Sequence, residues 1–424
     1  MREGWKQVKI GEVCKINKKN INKKFEHNQI TYLDISSVGS GEAQFDNLVP
    51  IEEAPSRAKR IPSLNDSLIA TVRPGNKTYY YLKDFPSNTV ISTGFAVLTP
   101  SLDKVDSRYL YYIISEDSFI SYLVSIEKGA NYPAVTAKDI ADAIVTLPPL
   151  KTQRKIASIL SAYDDLIENN LKRIKLLEEQ AQLTYEEWFV RFKFPGHETT
   201  KFDEESGLPE GWEKVKLSKI ATFMNGYAFK PKDLGDKGLP VIKIKEMKNG
   251  LNSDSPRNCG ENIPDKYIVE NGDILFSWSA SLEVVIWLYE KGLVNQHLFK
   301  VTPAKGFGYS YVYLATKNSL KIFDSLTTGA TMKHIKRKEL DFVKLNKPEQ
   351  IKMNSFEKIV RPMFNSIINL SKQNQHLKEA RDILLPRLMS GMIDVEKHEV
   401  GSLKYEVNDS LGMVAEEKEV SNKK

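Results

Sequence analysis

The sequence is poor in cysteine and contains no long apolar run. Its 424 residues include 2 cysteines, Cys14 and Cys259, which lie in different halves of the chain. A framework of disulfide bonds is therefore excluded, and we expect a reducing, cytoplasmic location. No apolar run reaches the roughly 18 residues of a membrane span, and the N-terminal MREGWKQVKI lacks the apolar core of a secretory signal. We accordingly expect no membrane contact.

Signatures of catalysis and of metal binding are also missing. The 6 histidines form no H-E-x-x-H or Cys/His zinc pattern, and no phosphate-binding G-x-x-x-x-G-K-[ST] loop occurs. The Asn/Asp-Pro-Pro-aromatic run expected of a base-methylating enzyme is absent. We therefore expect no catalytic residue, no metal and no cofactor on this chain, which disfavours a stand-alone nuclease or methyltransferase.

The chain repeats itself. Residues 4–10, GWKQVKI, resemble residues 211–217, GWEKVKL, at an offset of 207. A Gly-Ala pair followed by a Lys, an acidic residue and an aliphatic residue occurs in 129–140 and again in 329–340, at an offset of 200. Matches in the same order at nearly the same offset indicate two copies of one unit.

Each copy has a mixed part and a helical part. In the mixed parts, β-branched runs broken by Pro, Gly and Asn predict short strands and loops. The strands are expected within 67–72, 90–100, 239–247 and 273–278, and one amphipathic helix per copy within 107–126 and 309–326. The helical parts, 150–191 and 349–391, are each expected to hold a short helix and then a long one.

One residue marks the expected start of each long helix, and a proline marks the expected end of the second long helix. Ser161 resembles a helix cap, and Pro362 suits a first helical position. Pro386 should kink or end the second long helix.

Apolar residues recur at alternating steps of three and four along both long helices, which is typical of a coiled-coil seam. The two sets match at an offset of 200, and each contains one asparagine. The matched registers favour pairing of the two helices; the alternative is two amphipathic helices, each packed on its own domain. The predicted seam residues are Ile167, Asn170, Ile174, Leu177, Ile367, Leu370, Asn374, Leu377 and Leu384.

Polar and aromatic side chains gather in loops at matching places of the two copies. The net charge of +6 permits nucleic-acid binding without requiring it. Arg and Asn can read base edges and Lys can bind phosphates, although each loop alone could be an ordinary solvated surface. The candidate DNA-binding residues are Arg57, Arg60, Arg73, Asn76, Lys77, Tyr79, Asn131, Tyr132, Asn225, Tyr227, Lys230, Ser277, Trp278, Ser279, Gln296, His297, Lys333, Lys336 and Arg337.

The order of these features resembles the specificity subunits of type I restriction–modification systems. A Gly-Trp start, a variable region, a Gly-Ala loop, VTLPPLKTQRKIASIL and a long helix are followed by a second round that ends in LLPRLMSGMI. NGYAFKPKDL, NGDILFSWSA and NQHLFKV also resemble short segments of that family. The second linker, LNKPEQIKMNSF, departs from the first, so helix docking there is less typical of the family.

The resemblance implies an α+β fold in which two α/β target-recognition domains are joined by an antiparallel pair of long helices, with a pseudo-two-fold internal repeat. The expected divisions are recognition domains 1–148 and 195–347, spacer helices 149–194 and 348–392, and a flexible tail 393–424.

It also implies a non-catalytic subunit that reads an asymmetric bipartite site in double-stranded DNA and docks modification (methyltransferase) and restriction subunits. S-adenosylmethionine, ATP and magnesium would then be bound by those partners. The alternatives are a specificity subunit of a related modification system of another type and a coiled-coil scaffold that binds only proteins.

Overall fold

The computed structural model describes residues 4–22, 25–129, 131–252, 254–260, 263–326 and 333–396. These residues fold into two units. The first unit is formed by residues up to Ser161 together with the described residues from Ile383 onward, and the second by Ala162–Asp382. None of the helices in the described ranges combines the length and the apolar character that a bilayer crossing requires.

The first unit is built mainly of short strands. Its strands are β1 Lys6–Lys9, β2 Cys14–Ile16, β3 Gln29–Leu33, β4 Leu48–Pro50, β5 Ala58–Arg60, β6 Ser67–Ala70, β7 Tyr79–Tyr81, β8 Thr89–Ser92, β9 Phe95–Pro100 and β10 Ile144–Leu147. Its helices are α1 Ile10–Val13, α2 Ser107–Ser115, α3 Asp117–Ile126, α4 Ala137–Asp142 and the start of α5 Leu150–Tyr185. The strands pair in the orders β2-β9-β6-β7, β4-β3-β8-β5 and β1-β10.

The second unit repeats this arrangement with a different sequence. Its strands are β11 Glu213–Lys216, β12 Ala221–Asn225, β13 Leu239–Ile242, β14 Arg257–Asn258, β15 Ile268–Val269, β16 Ile274–Ser277, β17 Ser279–Ala280, β18 Glu283–Ile286, β19 Gly292–Val294, β20 Leu298–Pro303, β21 Lys333–His334 and β22 Lys344–Lys347. Its helices are the remainder of α5 from Ala162 onward, α6 Leu217–Ile220, α7 Ile244–Asn249, α8 Tyr309–Leu326 and most of α9 Gln350–Met389.

Strand order confirms that the chain contains a structural duplication. The sheets β12-β20-β16-β18, β14-β13-β19-β15 and β11-β22 of the second unit correspond strand for strand to the three sheets of the first. Each unit also contains one parallel pair at the same place, β3 with β8 and β13 with β19. The two copies therefore share one order of strand pairing although their sequences differ, and their central strands β6 and β16 are buried at every position.

One predicted helix of the first unit is broken. Residues 107–126 form α2 and α3 rather than a single helix, because Glu116 between them is extended, with φ −68° and ψ 139°. The break lets Ile114 of α2 and both Phe119 and Leu123 of α3 enter the same core. In the second unit, α8 is continuous over 309–326 as predicted.

The long helices are continuous, so the predicted division into a short and a long helix is wrong. Ser161 lies inside α5, where its hydroxyl donates to the carbonyl of Ser158 at 3.3 Å instead of capping a helix. Pro362 and Pro386 lie inside α9, which ends at Met389. An internal proline costs about 3 kcal/mol, and burial of neighbours such as Phe364 and Leu388 offsets that cost.

Helices α5 and α9 pack against each other within the second unit. The Asn170 side-chain amide donates to Asn374 Oδ1 at 2.9 Å, and the Asn374 amide donates to the carbonyl of Ile167 at 3.3 Å. Farther along, Arg381 Nη1 lies 2.7 Å from Asp164 Oδ1. Residue numbers rise along one helix while they fall along the other, so the helices are antiparallel here. The predicted pairing and the α+β fold class are confirmed.

The seam is apolar around a polar centre. Ile167, Ile367 and Leu370 are buried, while Ile174 and Leu177 pack against the same core. Leu377 is half-buried. Leu384 instead packs into the core of the first unit. Asn170 and Asn374 are only 6% and 5% exposed, so their hydrogen bonds to each other and to the Ile167 carbonyl take the place of bonds to water.

Arg381 lies at the edge of this seam, where burial lowers the pKa of its guanidinium. The combined effect of Asp164 and Asp382 on this pKa is larger and opposite. Together the two carboxylates raise the pKa of the guanidinium above its usual value.

The last described residues belong to the first unit, not to a free tail. Val395 is buried and Ile393 packs against the same core. Thr152 Oγ1 donates to Glu396 Oε1 at 2.7 Å, which joins the start of α5 to this segment. Residues 393–396 are therefore part of the folded unit, and the remainder of the predicted tail, 397–424, lies outside the described residues.

Replacing Asn170 alone by Leu should destabilise the chain by about 1–3 kcal/mol, because the Asn374 amide stays buried and loses a partner. The Asn170→Leu/Asn374→Leu double variant should recover most of that loss, since two leucines suit an apolar seam. Chemical denaturation of the wild type, both single variants and the double variant measures the coupling. Losses that simply add in the double variant would show that the two amides act independently.

Candidate nucleic-acid interface

In each unit, two distant segments meet at the end of a central strand. In the second unit, β17 follows β16 and pairs with β21, and the backbone N–H of Ile335 donates to the carbonyl of Trp278 at 2.9 Å. In the first unit, Val72 bridges Ala134, and the N–H of Val135 donates to the carbonyl of Thr71 at 2.8 Å. The loops that the sequence placed at matching positions are therefore held in the same way in both units.

The backbone at this junction adopts an uncommon conformation in both copies. Arg73 and Ala280, which occupy equivalent places, have φ values of 48° and 61°. Lys77, after the turn Pro74–Asn76, has a φ of 54°. A non-glycine residue in this left-handed region is strained by about 1–3 kcal/mol, and such residues gather at functional sites. Both copies retain the strain at the same position, so this junction is the best candidate for a functional surface.

The first unit brings several predicted residues together here. Arg73 is exposed, and its guanidinium carbon lies 5.9 Å from the ring centre of Tyr132, which is itself exposed. Asn76 and Asn131 are exposed on the same two segments. Lys77 Nζ lies 2.7 Å from Asp117 Oδ1, so part of its charge is balanced by that carboxylate. The arrangement presents a guanidinium, amides and an aromatic ring to solvent.

The remaining candidates of the first unit differ in accessibility. Arg57 is exposed. Arg60 is half-buried, its Nη1 donates to Asn20 Oδ1 at 2.9 Å, and burial lowers the pKa of its guanidinium. Tyr79 is half-buried with its ring centre 6.0 Å from that of Tyr111 in the core. Arg60 and Tyr79 thus take part in packing, and their contact with DNA stays a prediction.

The second unit assembles a different set at the corresponding place. The Trp278 and His297 rings lie 5.8 Å apart, and the side-chain nitrogens of Gln296 and His297 are 3.4 Å apart. The N–H of Gln296 donates to the carbonyl of Tyr227 at 2.9 Å. The predicted segments around 227, 278 and 296 thus form one continuous surface of aromatic and amide groups.

Other candidates of the second unit lie around this surface. Asn225 and Lys230 are exposed on the segment that contains Tyr227. Lys336 and Arg337 are exposed directly after Ile335. The backbone of Lys333 lies in β21, but its side chain, like residues 327–332 of the predicted loop, is outside the described part of the chain.

Two predicted residues are not at the surface. Ser277 and Ser279 are 0% and 5% exposed, and the Ser277 hydroxyl donates to the carbonyl of Ser279 at 3.2 Å. The sequence predicts both on a loop, but both belong to paired strands, which turns their side chains inward. The candidate interface therefore includes Trp278 without its two neighbours.

Sequence reasoning also missed residues that the fold brings to this surface. The Tyr267 ring lies 5.3 Å from that of Tyr227, and Lys266 Nζ lies 5.0 Å from the ring centre of Tyr267. Their adjacency depends on β15 pairing with β19, which is a contact between distant segments. The sole sequence signal was a Lys-Tyr pair beside a strand.

The chemistry of both surfaces is that of recognition. Guanidinium, amide, imidazole and aromatic groups can donate to, accept from and stack on nucleic-acid bases. Within the described residues, no three His, Cys, Asp or Glu side chains lie close enough together to hold a metal ion.

Known proteins that are similar to this chain are specificity subunits of type I restriction systems. The chain is 23% identical over 460 aligned positions to the type I restriction enzyme HindI specificity subunit of Haemophilus influenzae, covering 92% of this chain and 99% of that protein. It is 27% identical to the MjaIX specificity subunit of Methanocaldococcus jannaschii, covering 72% and 73%. The crystal structure of a type I system S subunit from M. genitalium has a similar fold, with a TM-score of 0.53 at 15% identity, covering 91% of this chain and 96% of that one.

A family model described as the type I restriction modification DNA specificity domain matches twice, over residues 2–179 and 209–377. The two matches correspond to the two copies found in the sequence and in the strand order. The chain therefore belongs to the type I restriction–modification specificity subunit family.

Proposed function

We propose that the two units read the two parts of an asymmetric, bipartite site in double-stranded DNA. In this proposal, residues 1–148 and 195–347 are the target-recognition domains, and residues 149–194 and 348–392 are the spacer. The observation that carries the proposal is the duplicated junction, at which equivalent positions carry different side chains, Arg73 in one unit and Ala280 in the other. Different groups on one scaffold select different bases, because each base pair presents its own pattern of donors and acceptors.

The chain's own contribution is to bind DNA and to position its partners. Side chains such as Arg73, Asn76 and Gln296 would contact base edges, and lysines such as Lys336 would contact phosphates. Modification subunits would supply S-adenosylmethionine for methyl transfer to adenine, and restriction subunits would supply ATP-dependent, magnesium-dependent translocation and cleavage. A cytoplasmic location is part of the same proposal.

An apolar stripe on α5 supports docking of a modification subunit. Leu176 and Leu183 are seven residues apart on α5 and are 64% and 52% exposed. Seven residues are nearly two helical turns, so these side chains share one face, which is opposite the buried seam of Ile167 and Ile174. An exposed apolar stripe of this spacing is suited to receive another helix.

Coexpression of the chain with its modification subunit, followed by methylome sequencing, tests the proposed function. We expect methylation at one motif made of two different specified parts separated by unspecified bases. A single continuous motif, or two identical halves, would contradict the assignment of one part to each unit.

Substitutions in one unit should alter one part of the motif. Arg73→Ala/Asn76→Ala should relax the part read by the first unit, and Trp278→Ala/His297→Ala the other part, with a loss of about 1–3 kcal/mol per base contact. Methylome sequencing of both variants provides the measurement, and in each variant the unaffected part serves as the internal control. Loss of both parts together in either variant would indicate unfolding or simple loss of affinity.

Charged residues in the apolar stripe should prevent docking. Leu176→Asp/Leu183→Asp should abolish copurification with the modification subunit, because burial of each leucine contributes about 1.5–3 kcal/mol. Leu64→Asp/Leu102→Asp is the matched control, since both leucines are 62% exposed and belong to loops of the first unit. Equal copurification of the two double variants would exclude the stripe as the docking surface.

A further inference from the structure

A strongly basic surface lies on the first unit, and of its residues only Arg57 is predicted from the sequence to bind DNA. Lys18 and Lys19 follow β2, Lys59 lies in β5, and Arg57 directly precedes that strand. All four side chains are exposed. We refer to these four residues as the basic strip.

Backbone pairing holds the two segments of the basic strip side by side. The N–H of Ile21 donates to the carbonyl of Lys59 at 2.8 Å, and the N–H of Ile61 donates to the carbonyl of Lys19 at 3.0 Å. Between these bonds, Asn20 bridges Arg60, and the Arg60 guanidinium donates to the Asn20 side chain. The half-buried Arg60 thus anchors the strip, and the charges are fixed on an ordered backbone.

The charges of the basic strip are not balanced by nearby carboxylates. Among the described residues, no Asp or Glu oxygen lies within 4.0 Å of its lysine or arginine nitrogens, whereas Lys9 and Lys77 of the same unit are paired with Asp142 and Asp117. Lys18 and Lys19 do act electrostatically on Asp66, but that residue is 1% exposed, and burial raises the pKa of its carboxyl. Four exposed cations that form no salt bridge within the described residues are suited to an anionic partner.

The basic strip is continuous with the candidate interface through backbone contacts. The carbonyl of Arg57 accepts from the N–H of Thr93, and the next residue, Gly94, accepts from the N–H of Thr71 at 2.8 Å. Thr71 is the residue that holds the 131–135 loop. In the second unit, the segment after the equivalent strand β12 contains Tyr227 and contacts Tyr267 just before β15. The segments after β2 and before β5, which hold the basic strip, therefore belong to the candidate surface, as do the equivalent segments after β12 and before β15.

We propose that the basic strip binds the sugar-phosphate backbone of the duplex beside the bases read by the first unit. This inference rests on the proposed function. Phosphate contacts supply affinity and register but carry no base information. The strip would therefore strengthen binding to every DNA sequence and leave the recognised motif unchanged.

The test uses the full chain in complex with its modification subunit and two duplexes. One duplex carries the motif found by methylome sequencing, and the other carries the same bases in scrambled order. Affinity is measured at several salt concentrations for the wild type and for Lys18→Ala/Lys19→Ala/Lys59→Ala. Because the slope of log K against log salt is about −0.9 per phosphate contact, we expect the slope to become shallower by about 2–3 units for this variant. Both duplexes should weaken by the same factor.

Lys6→Ala/Lys104→Ala/Lys138→Ala is the matched control. It removes the same charge from exposed lysines elsewhere on the first unit, and its slope should match that of the wild type. A strip variant whose slope equals that of this control would overturn the proposal, as would a strip variant with an altered motif. A wild-type complex that binds both duplexes equally would contradict the proposed function, while the slopes would still decide the role of the strip.

Discussion

The rest of the fold depends on the antiparallel packing of α5 and α9. In the second unit, the two helices pack through an apolar seam with a hydrogen-bonded Asn170–Asn374 pair at its centre. A buried amide is stable when its partner is correctly placed, so this pair penalises any shift of one helix along the other. The Asp164–Arg381 pair adds a second constraint. Register is thereby specified by polar contacts, and the surrounding aliphatic residues supply most of the burial.

The end of a long helix completes the core of each unit, and only in the first unit is that segment distant in sequence. The core of the first unit includes Leu388, Met389 and Val395, which come from the end of the described chain. The core of the second unit includes Trp188 and Phe189 at the equivalent place, 200 residues earlier. The equivalent helix end therefore completes the core in both copies. It precedes the recognition region of the second unit and follows that of the first. The complete core of the first unit therefore includes residues synthesised after the second recognition region.

The duplicated scaffold separates stability from specificity. Equivalent strands pair in the same order, and the strained position at Arg73 and Ala280 recurs with the same geometry. The groups presented at that place differ, with a guanidinium stacked on Tyr132 in one unit and a Trp278–His297 pair in the other. Core residues preserve the backbone, and exposed residues on it can vary at little structural cost. This division is suited to a protein family whose task is to select DNA sequences.

The sequence by itself determined the duplication, the long helices and the seam, because repetition and helical periodicity can be recognised from the order of the residues alone. It also selected Arg73 and Tyr132, and Trp278 and His297, which the structure brings close together in pairs. Only the tertiary structure decided that Ser277 and Ser279 turn inward, that residues 107–126 break at Glu116, and that Lys18, Lys19 and Lys59 form one surface. Those outcomes depend on pairing between residues far apart in the chain, and no local pattern encodes which distant strand a segment will meet.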